Sequence, residues 1–307
     1  HMTFAVLTCA LIGGCVADRL RFSAFVIFSV IWLFLVYVPT AHWVWGNGFL
    51  AKLGVLDFAG GTVVHINAGV AGLVAAVVIG PRLGFGRDNM APYDLSMAVV
   101  GTGLLWVGWF GFNGGSALGA GARAVYAITS THLAACAGAL VWTAIEWSKR
   151  GQPSVLGIIS GAVAGLGTVT PASGYILPWH GIVIGLIAGA VCYWACIWLK
   201  HKLRYDDSLD VFGVHGIGGI LGTLLAGVFA TGAVSASADV PAGLNGLLYG
   251  NPAQLGIQAV GVLVTTLWCA AGTFIALKAT ALMTDLRVSR DEEVEGLDLS
   301  LHGERLH

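Results

Sequence analysis

Nine long apolar runs divide this chain, and no other feature restricts its fold as much. A bilayer core requires about 20 consecutive apolar residues per helix. Segments at about 3–17, 22–44, 57–80, 95–116, 125–147, 155–176, 182–199, 210–229 and 253–283 meet or approach that length. Only 10% of residues are charged, 57% are hydrophobic and the mean hydropathy is +0.82, whereas soluble domains carry roughly a quarter charged residues. An all-α polytopic membrane protein is expected. The 15 basic and 16 acidic residues crowd into the connections and the C-terminal end, which leaves no basic face for nucleic acid. Cys9, Cys15, Cys136, Cys192, Cys196 and Cys269 lie inside apolar runs without paired spacing, so neither a disulfide framework nor a zinc site is readable. The first run is too short to span and has no charged n-region or cleavage site that would make it a signal peptide. It reads as the truncated end of a helix.

Lys and Arg in short connections stay on the cytoplasmic side of a membrane. Arg19, Arg21, Arg82, Arg87, Lys149, Arg150, Lys200, Lys202 and Arg204 occupy every second connection, and the others hold only Lys52 and Arg123. The C-terminal end is therefore expected inside, residue 1 outside, and the 230–252 connection outside. Two regions follow: a transmembrane region, 1–284, and a solvated tail, 285–307. The tail carries Asp291, Glu292, Glu293 and Glu295 but also Leu286, Val288, Val294, Leu297, Leu299 and Leu301. Those apolar residues suffice to dock it on the cytoplasmic loops, with Arg19, Arg82, Lys149 and Arg204 as expected partners for its acids and Gly296 at a turn needing positive φ.

Ionisable side chains inside spans are expensive and are functional by default. Asp57 heads the third run, with His65 eight residues on, about 12 Å deep; Asp210 heads the eighth, with His215 five residues on, about 7.5 Å deep. The two histidines approach mid-membrane from opposite faces on glycine-rich helices, the pattern of an inverted-topology repeat whose interface holds transport sites. No acid or thiol accompanies them at metal-ligand spacing, and HExxH is absent. A pair of neutral imidazoles in an apolar conduit offers hydrogen-bonding nitrogens to a small uncharged guest, which favours a pore over a catalytic centre. Beside that stands the plainer reading, histidines hydrogen-bonded to neighbouring helices, which is preferred for His132. Asp57 and Asp210 read first as helix caps. Trp45, Phe112, Ser116 and Phe4 fall near one outer end, where an aromatic cage for a cation and an ordinary interfacial belt both fit.

The stretches DFAGGTVVHINAGVAGL (57–73), GWFGFNGGSA (108–117), DVFGVHGIGG (210–219) and EGLDLSLHGE (295–304) resemble the ammonium transporter family (Amt/Mep/Rh), on its Amt branch. The resemblance runs end to end. It implies a transporter or channel for nitrogen uptake in the inner or plasma membrane, with the C-terminus cytoplasmic and no cofactor. It further implies a homotrimer in which each subunit has its own pore. His65 and His215 match the twin pore histidines, while Trp45, Phe4 and Ser116 match the external ammonium recruitment site, which Asp57 supports. Phe4 and Phe112 match the stacked gate. Ammonium would be deprotonated and ammonia conducted, with methylammonium as an analogue. The tail matches a segment that meets a PII-type signal protein, and an ammonium sensor acting through that tail is the alternative activity. The family has eleven helices, so this chain is expected to lack two and part of a third, including an aromatic just before Phe4.

Overall fold

In lipid a backbone N–H or C=O must find its partner within protein, and a helix satisfies it locally. Each apolar run accordingly folds as a helix. The structure, a computed structural model, describes residues 1–236 and 242–304; part of the 230–252 connection and the last three residues of the tail lie outside the described residues. Helix α1 is Met2–Cys15, and α2 (22–45) runs through Phe22–Trp32, Leu33–Tyr37 and Val38–Trp45. Then come α3 Gly61–Ile79, α4 Leu95–Gly114, α5 Ala122–Arg150, α6 Val155–Val169, α7 Pro178–Leu203, α8 Phe212–Phe229 and α9 Ala253–Ala281. Seven of these nine are long and apolar enough to cross a membrane; α1 and α6 are shorter apolar helices. Among the described residues there is no strand, only one antiparallel bridge between Leu20 and Arg287.

The surface is that of a body solvated by hydrocarbon. Phe34, Val77, Leu104, Leu140 and Leu263 are exposed, while Thr62, Asn67, Asn113, Thr131, Gln258 and Thr273 are buried. The buried polar side chains join helices: Trp32 Nε1 donates to Thr273 Oγ1 at 2.9 Å, tying α2 to α9. Gln258 of α9 donates to the Leu56 and Thr223 carbonyls at 2.7 and 2.9 Å and accepts from Leu56 N at 2.7 Å, which satisfies the extended chain entering α3. Helix α3 lies at the centre against α1, α8 and α9, and α5 packs along α6 and α7.

Five segments widen to π-helical turns: Leu33–Tyr37, Gly61–Ile66, Phe110–Gly114, Ala195–Leu199 and Phe212–Gly216. Such turns are rare and concentrate at functional sites. Three of them carry His65, Phe112 and His215.

One end of the bundle is organised around Asp206. Its carboxylate takes the Arg82 main-chain N–H and two guanidinium bonds at 2.7, 2.9 and 2.8 Å. Arg19, wholly buried, donates to the carbonyls of Gly80, Cys15 and Asp206 and to Ser208 Oγ. The tail docks at this end, though not on the expected partners. Arg21 N donates to Leu286 O at 2.9 Å and Val288 N to Arg19 O at 3.1 Å, so the chain enters the tail as an added strip beside the α1–α2 turn. Val288 is buried, whereas Val294 is exposed. Ser289 caps α10 (Arg290–Glu295) through a reciprocal box with Glu292, and Gly296, at φ +94°, turns the chain into α11 (Leu297–His302). Glu292 pairs with Arg21 and Glu293 with Arg287. Arg19 and Arg82 are instead engaged by Asp206, and Lys149 lies over the Tyr193 ring. Charge alone does not select the partners of the tail acids, because the Arg19 and Arg82 guanidiniums have a nearer carboxylate in Asp206.

Burial by itself would raise the Asp206 pKa, but the Arg82 hydrogen bonds and charge hold it below the ordinary carboxylate value. A carboxyl depressed in the folded state contributes stability above the unfolded pKa and loses it as pH falls through the folded one. Asp206→Asn should therefore cost about 2–4 kcal/mol at neutral pH, because it leaves buried cations unpaired. Thermal unfolding of wild type and variant in detergent should show that gap at neutral pH, and the gap should narrow only as the pH falls below the ordinary carboxylate range. Equal midpoints at neutral pH would refute the assignment.

Candidate functional site

Two buried carboxylates set where α3 and α8 begin. Asp57 Oδ1 accepts from Gly60 N and Gly61 N at 2.7 and 2.6 Å; Oδ2 accepts from Thr62 N and Val63 N at 2.8 and 3.3 Å and from the Thr62 hydroxyl. Gly60 makes the turn into the helix at φ +116°, where a side chain would be strained. The capping reading of Asp57 thus holds in full. For α8 the cap is Asp207, whose Oδ2 accepts from Phe212 N at 2.7 Å. Asp210, the residue expected there, adopts φ +58° and is held by Lys200 Nζ at 2.8 Å.

With Asp207 in place the two halves fall into register. His65 follows Asp57 by eight positions and His215 follows Asp207 by eight, with the histidines 150 positions apart. The positive-φ residues Gly60 and Asp210 obey the same offset. The helices cross antiparallel and without side chains between them. A β-carbon on Gly69 would lie 2.2 Å from the Gly216 α-carbon, and one on Gly219 would lie 2.9 Å from His65 Cβ.

This crossing brings the imidazoles together. His65 Nδ1 and His215 Nδ1 are 3.2 Å apart, with ring centroids at 5.2 Å and planes 14° apart. A bond between like nitrogens needs one donor and one acceptor, so a single proton occupies the contact. Both residues are buried, and His65 Nε2 has no hydrogen-bond partner among the described residues. Trp109 stacks on His65 at 5.5 Å and 11°, and its own Nε1 is held by Thr170 Oγ1 at 2.8 Å. A β-carbon on Gly167 would come within 3.6 Å of His215 Nδ1 and 3.9 Å of His65 Cε1. The α6 backbone is therefore the opposing wall.

Above the pair the aromatic residues form a column. Phe112 lies 6.3 Å from His65, Phe4 lies 4.0 Å from Phe112, and Trp45 lies 5.5 Å from Phe4, all between ring centroids. Trp45 Nε1 donates to the Asp57 carbonyl at 2.9 Å, so Asp57 reaches this group through its main chain while its carboxylate faces the helix. Ser116, half-buried, donates to Phe112 O at 2.9 Å and keeps its oxygen lone pairs available. The structure thus gathers Trp45, Phe4, Phe112, His65 and His215 into one path, with Ser116 attached through Phe112. His132 lies apart on the exposed face of α5, beside Trp106 and Phe110. Sequence reasoning missed Asp207, Trp109 and Gly167. The offset of 150 could have found the first. Trp109 was indistinguishable from a belt residue, and nothing in a lone glycine signals the third.

Residues 1–306 match the Ammonium Transporter Family. An ammonium transporter of Bacillus subtilis (strain 168) is 48% identical over 309 residues, covering 100% of this chain and 74% of the relative. Among solved structures, Saccharomyces cerevisiae Mep2 superposes with a TM-score of 0.87 at 38% identity, over 94% of this chain and 65% of Mep2. A sensor Amt protein gives a TM-score of 0.87 at 30% identity, over 98% of this chain and 75% of that one. With residues 1–306 of this chain matched by the family and the fold shared, the chain belongs to the ammonium transporter family, whose members are polytopic membrane proteins and not enzymes.

Proposed function

We propose that this chain carries the conduction path of an ammonium transporter or channel. Ammonium is recruited at Trp45, Phe4 and Ser116 beside Asp57, passes the Phe4–Phe112 gate, sheds its proton, and crosses the His65–His215 pair as ammonia. One observation carries the reading: two buried imidazoles in mutual contact, one with an unused nitrogen, at the foot of an aromatic column. The chemistry fits each step. Aromatic faces attract a cation, transfer into an apolar conduit penalises the charged form and favours proton loss, and imidazole nitrogens hydrogen-bond a small neutral guest. The Phe4 and Phe112 rings touch, with centroids 4.0 Å apart, and on this reading one ring swings aside for passage.

The protein sits in the cell membrane with its C-terminus cytoplasmic, and assembles as a homotrimer of independent pores. The segment 285–307 is a regulatory tail that a PII-type signal protein can read. The shared fold with a sensor Amt protein keeps a second activity in view, occupancy reported through the tail without net transport. Methylammonium uptake by the intact gene product in a transporter-deficient cell separates the two: saturable uptake supports transport, and saturable binding without uptake supports the sensor.

His65→Ala or His215→Ala should reduce methylammonium flux about tenfold or more, the loss of one hydrogen bond of about 1.4 kcal/mol to the passing guest. Expression and assembly should be retained; normal flux in both variants would end the pore assignment. Gly167→Val tests the opposing wall, since added methyls would project at the histidines from α6. Its flux should fall at least as far with the histidines intact, and wild-type flux would show that the path runs elsewhere.

Removing residues after Asp285 deletes the Leu286 and Val288 main-chain bonds to Arg21 and Arg19. Assembly should persist, because the helices keep their own contacts, while flux becomes reduced or insensitive to a cytoplasmic regulator. Unchanged flux and an unchanged regulator response in the truncated protein would make the tail a mere solvated end.

A further inference from the structure

The alternation of basic residues leaves two on the outer side, Lys52 and Arg123. Arg123 sits in the first turn of α5, at the positive end of the helix dipole, where a cation is disfavoured. That turn carries no acid to offset it, and among the described residues no carboxylate pairs with it. The side chain is nonetheless half-buried and held. Its Nε donates to the Gly174 carbonyl at 2.9 Å. Its guanidinium lies 5.0 Å from the ring centroids of both Phe58 and Tyr175, which meet edge to face at 5.5 Å. Two aromatic rings and a carbonyl acceptor are groups that a small ammonium ion would also use. Here the chain's own cation fills them.

This filled cage adjoins the aromatic column. Phe58 directly follows Asp57, whose carbonyl takes the Trp45 Nε1 hydrogen bond. Phe58 also packs in one cluster with Phe112 and with Ala117, the neighbour of Ser116. The Gly174 turn presses on the same ring, since a β-carbon there would lie 2.1 Å from Phe58. Holding that turn accounts for the hydrogen bond, which a neutral donor would make as well. It does not account for a full positive charge at a helix N-terminus on the outer side. The Asp57 carboxylate is already engaged by the start of α3, so a fixed cation next to it leaves the mouth with a net repulsion for other cations.

We propose that Arg123 sets how weakly the outer mouth holds a cation. Its charge opposes ammonium at the Trp45, Phe4 and Ser116 site, and its guanidinium keeps the Phe58–Tyr175 cage closed to a second ion. The inference rests on the transport reading above and deepens it. Arg123 touches no substrate and acts through its field and through the space it fills.

The test measures methylammonium uptake by the intact gene product carrying R123K, R123Q or R123E, with equilibrium binding to the purified protein as the second readout. KM and Kd should follow the charge at position 123. They should stay near wild type in R123K, fall about threefold in R123Q, the effect of one screened unit charge, and fall further in R123E. Added salt should shrink these differences, and maximal uptake should change little. Helix content and oligomer mass of each variant show that folding is intact. Equal KM and Kd in wild type and R123Q would overturn the proposal. So would a loss of maximal uptake at unchanged KM in all three variants, which would make Arg123 a structural residue only. A wild-type protein that neither takes up nor binds methylammonium would overturn the transport reading and this inference with it, so the wild type alone tells the two failures apart.

Discussion

Everything at the candidate site depends on α3 and α8 approaching until their backbones touch. In lipid no hydrophobic force presses one helix on another, and association rests on close packing and on hydrogen bonds between helices. Gly69, Gly216 and Gly219 permit that closeness, because a β-carbon at the first or last would meet the opposite chain. The carboxylates of Asp57 and Asp207 then fix the depth at which each helix starts. Given antiparallel axes and starts eight residues before each histidine, the imidazoles have nowhere to be except opposite one another.

The widened turns complete that geometry. A π-turn advances the chain by an extra residue, which shifts the angular phase of whatever follows. At Gly61–Ile66 and Phe212–Gly216 the shift falls on the histidines themselves. Irregular backbone at membrane depth survives only where protein or a cavity receives its freed polar groups. The caps and the Gln258 bridges at the entrance to α3 meet that condition.

The architecture was legible in the sequence because lipid leaves so few alternatives: nine apolar runs became nine helices, and the buried histidines stood out against a background without charge. Their partners were harder to read. Asp210 looked like the natural counterpart of Asp57 because it opens the apolar run, yet Asp207 does the capping and Asp210 serves the turn. Hydropathy marks where a run begins but not which of two nearby carboxylates turns inward. The tail shows the same limit. Its docking was expected from six apolar residues among acids, but part of what holds it is a pair of main-chain bonds, Arg21 N to Leu286 O and Val288 N to Arg19 O, to which side-chain chemistry is blind.

The engagement of Asp57 bears on how a cation could be handled at the mouth. Five donors, four of them main-chain N–H groups at the positive end of α3, converge on its carboxylate. Its charge is therefore largely spent on the helix. An ammonium ion held near Trp45 would feel ring faces and a hydroxyl more than a bare carboxylate. Attraction of that kind is worth about 0.5–2 kcal/mol, enough to collect a cation yet small enough to release it. A free carboxylate in the same place would bind more tightly and would favour retention of the proton. On the proposed reading, conduction requires a site weak enough to leave, and the capping of α3 is what makes the mouth weak.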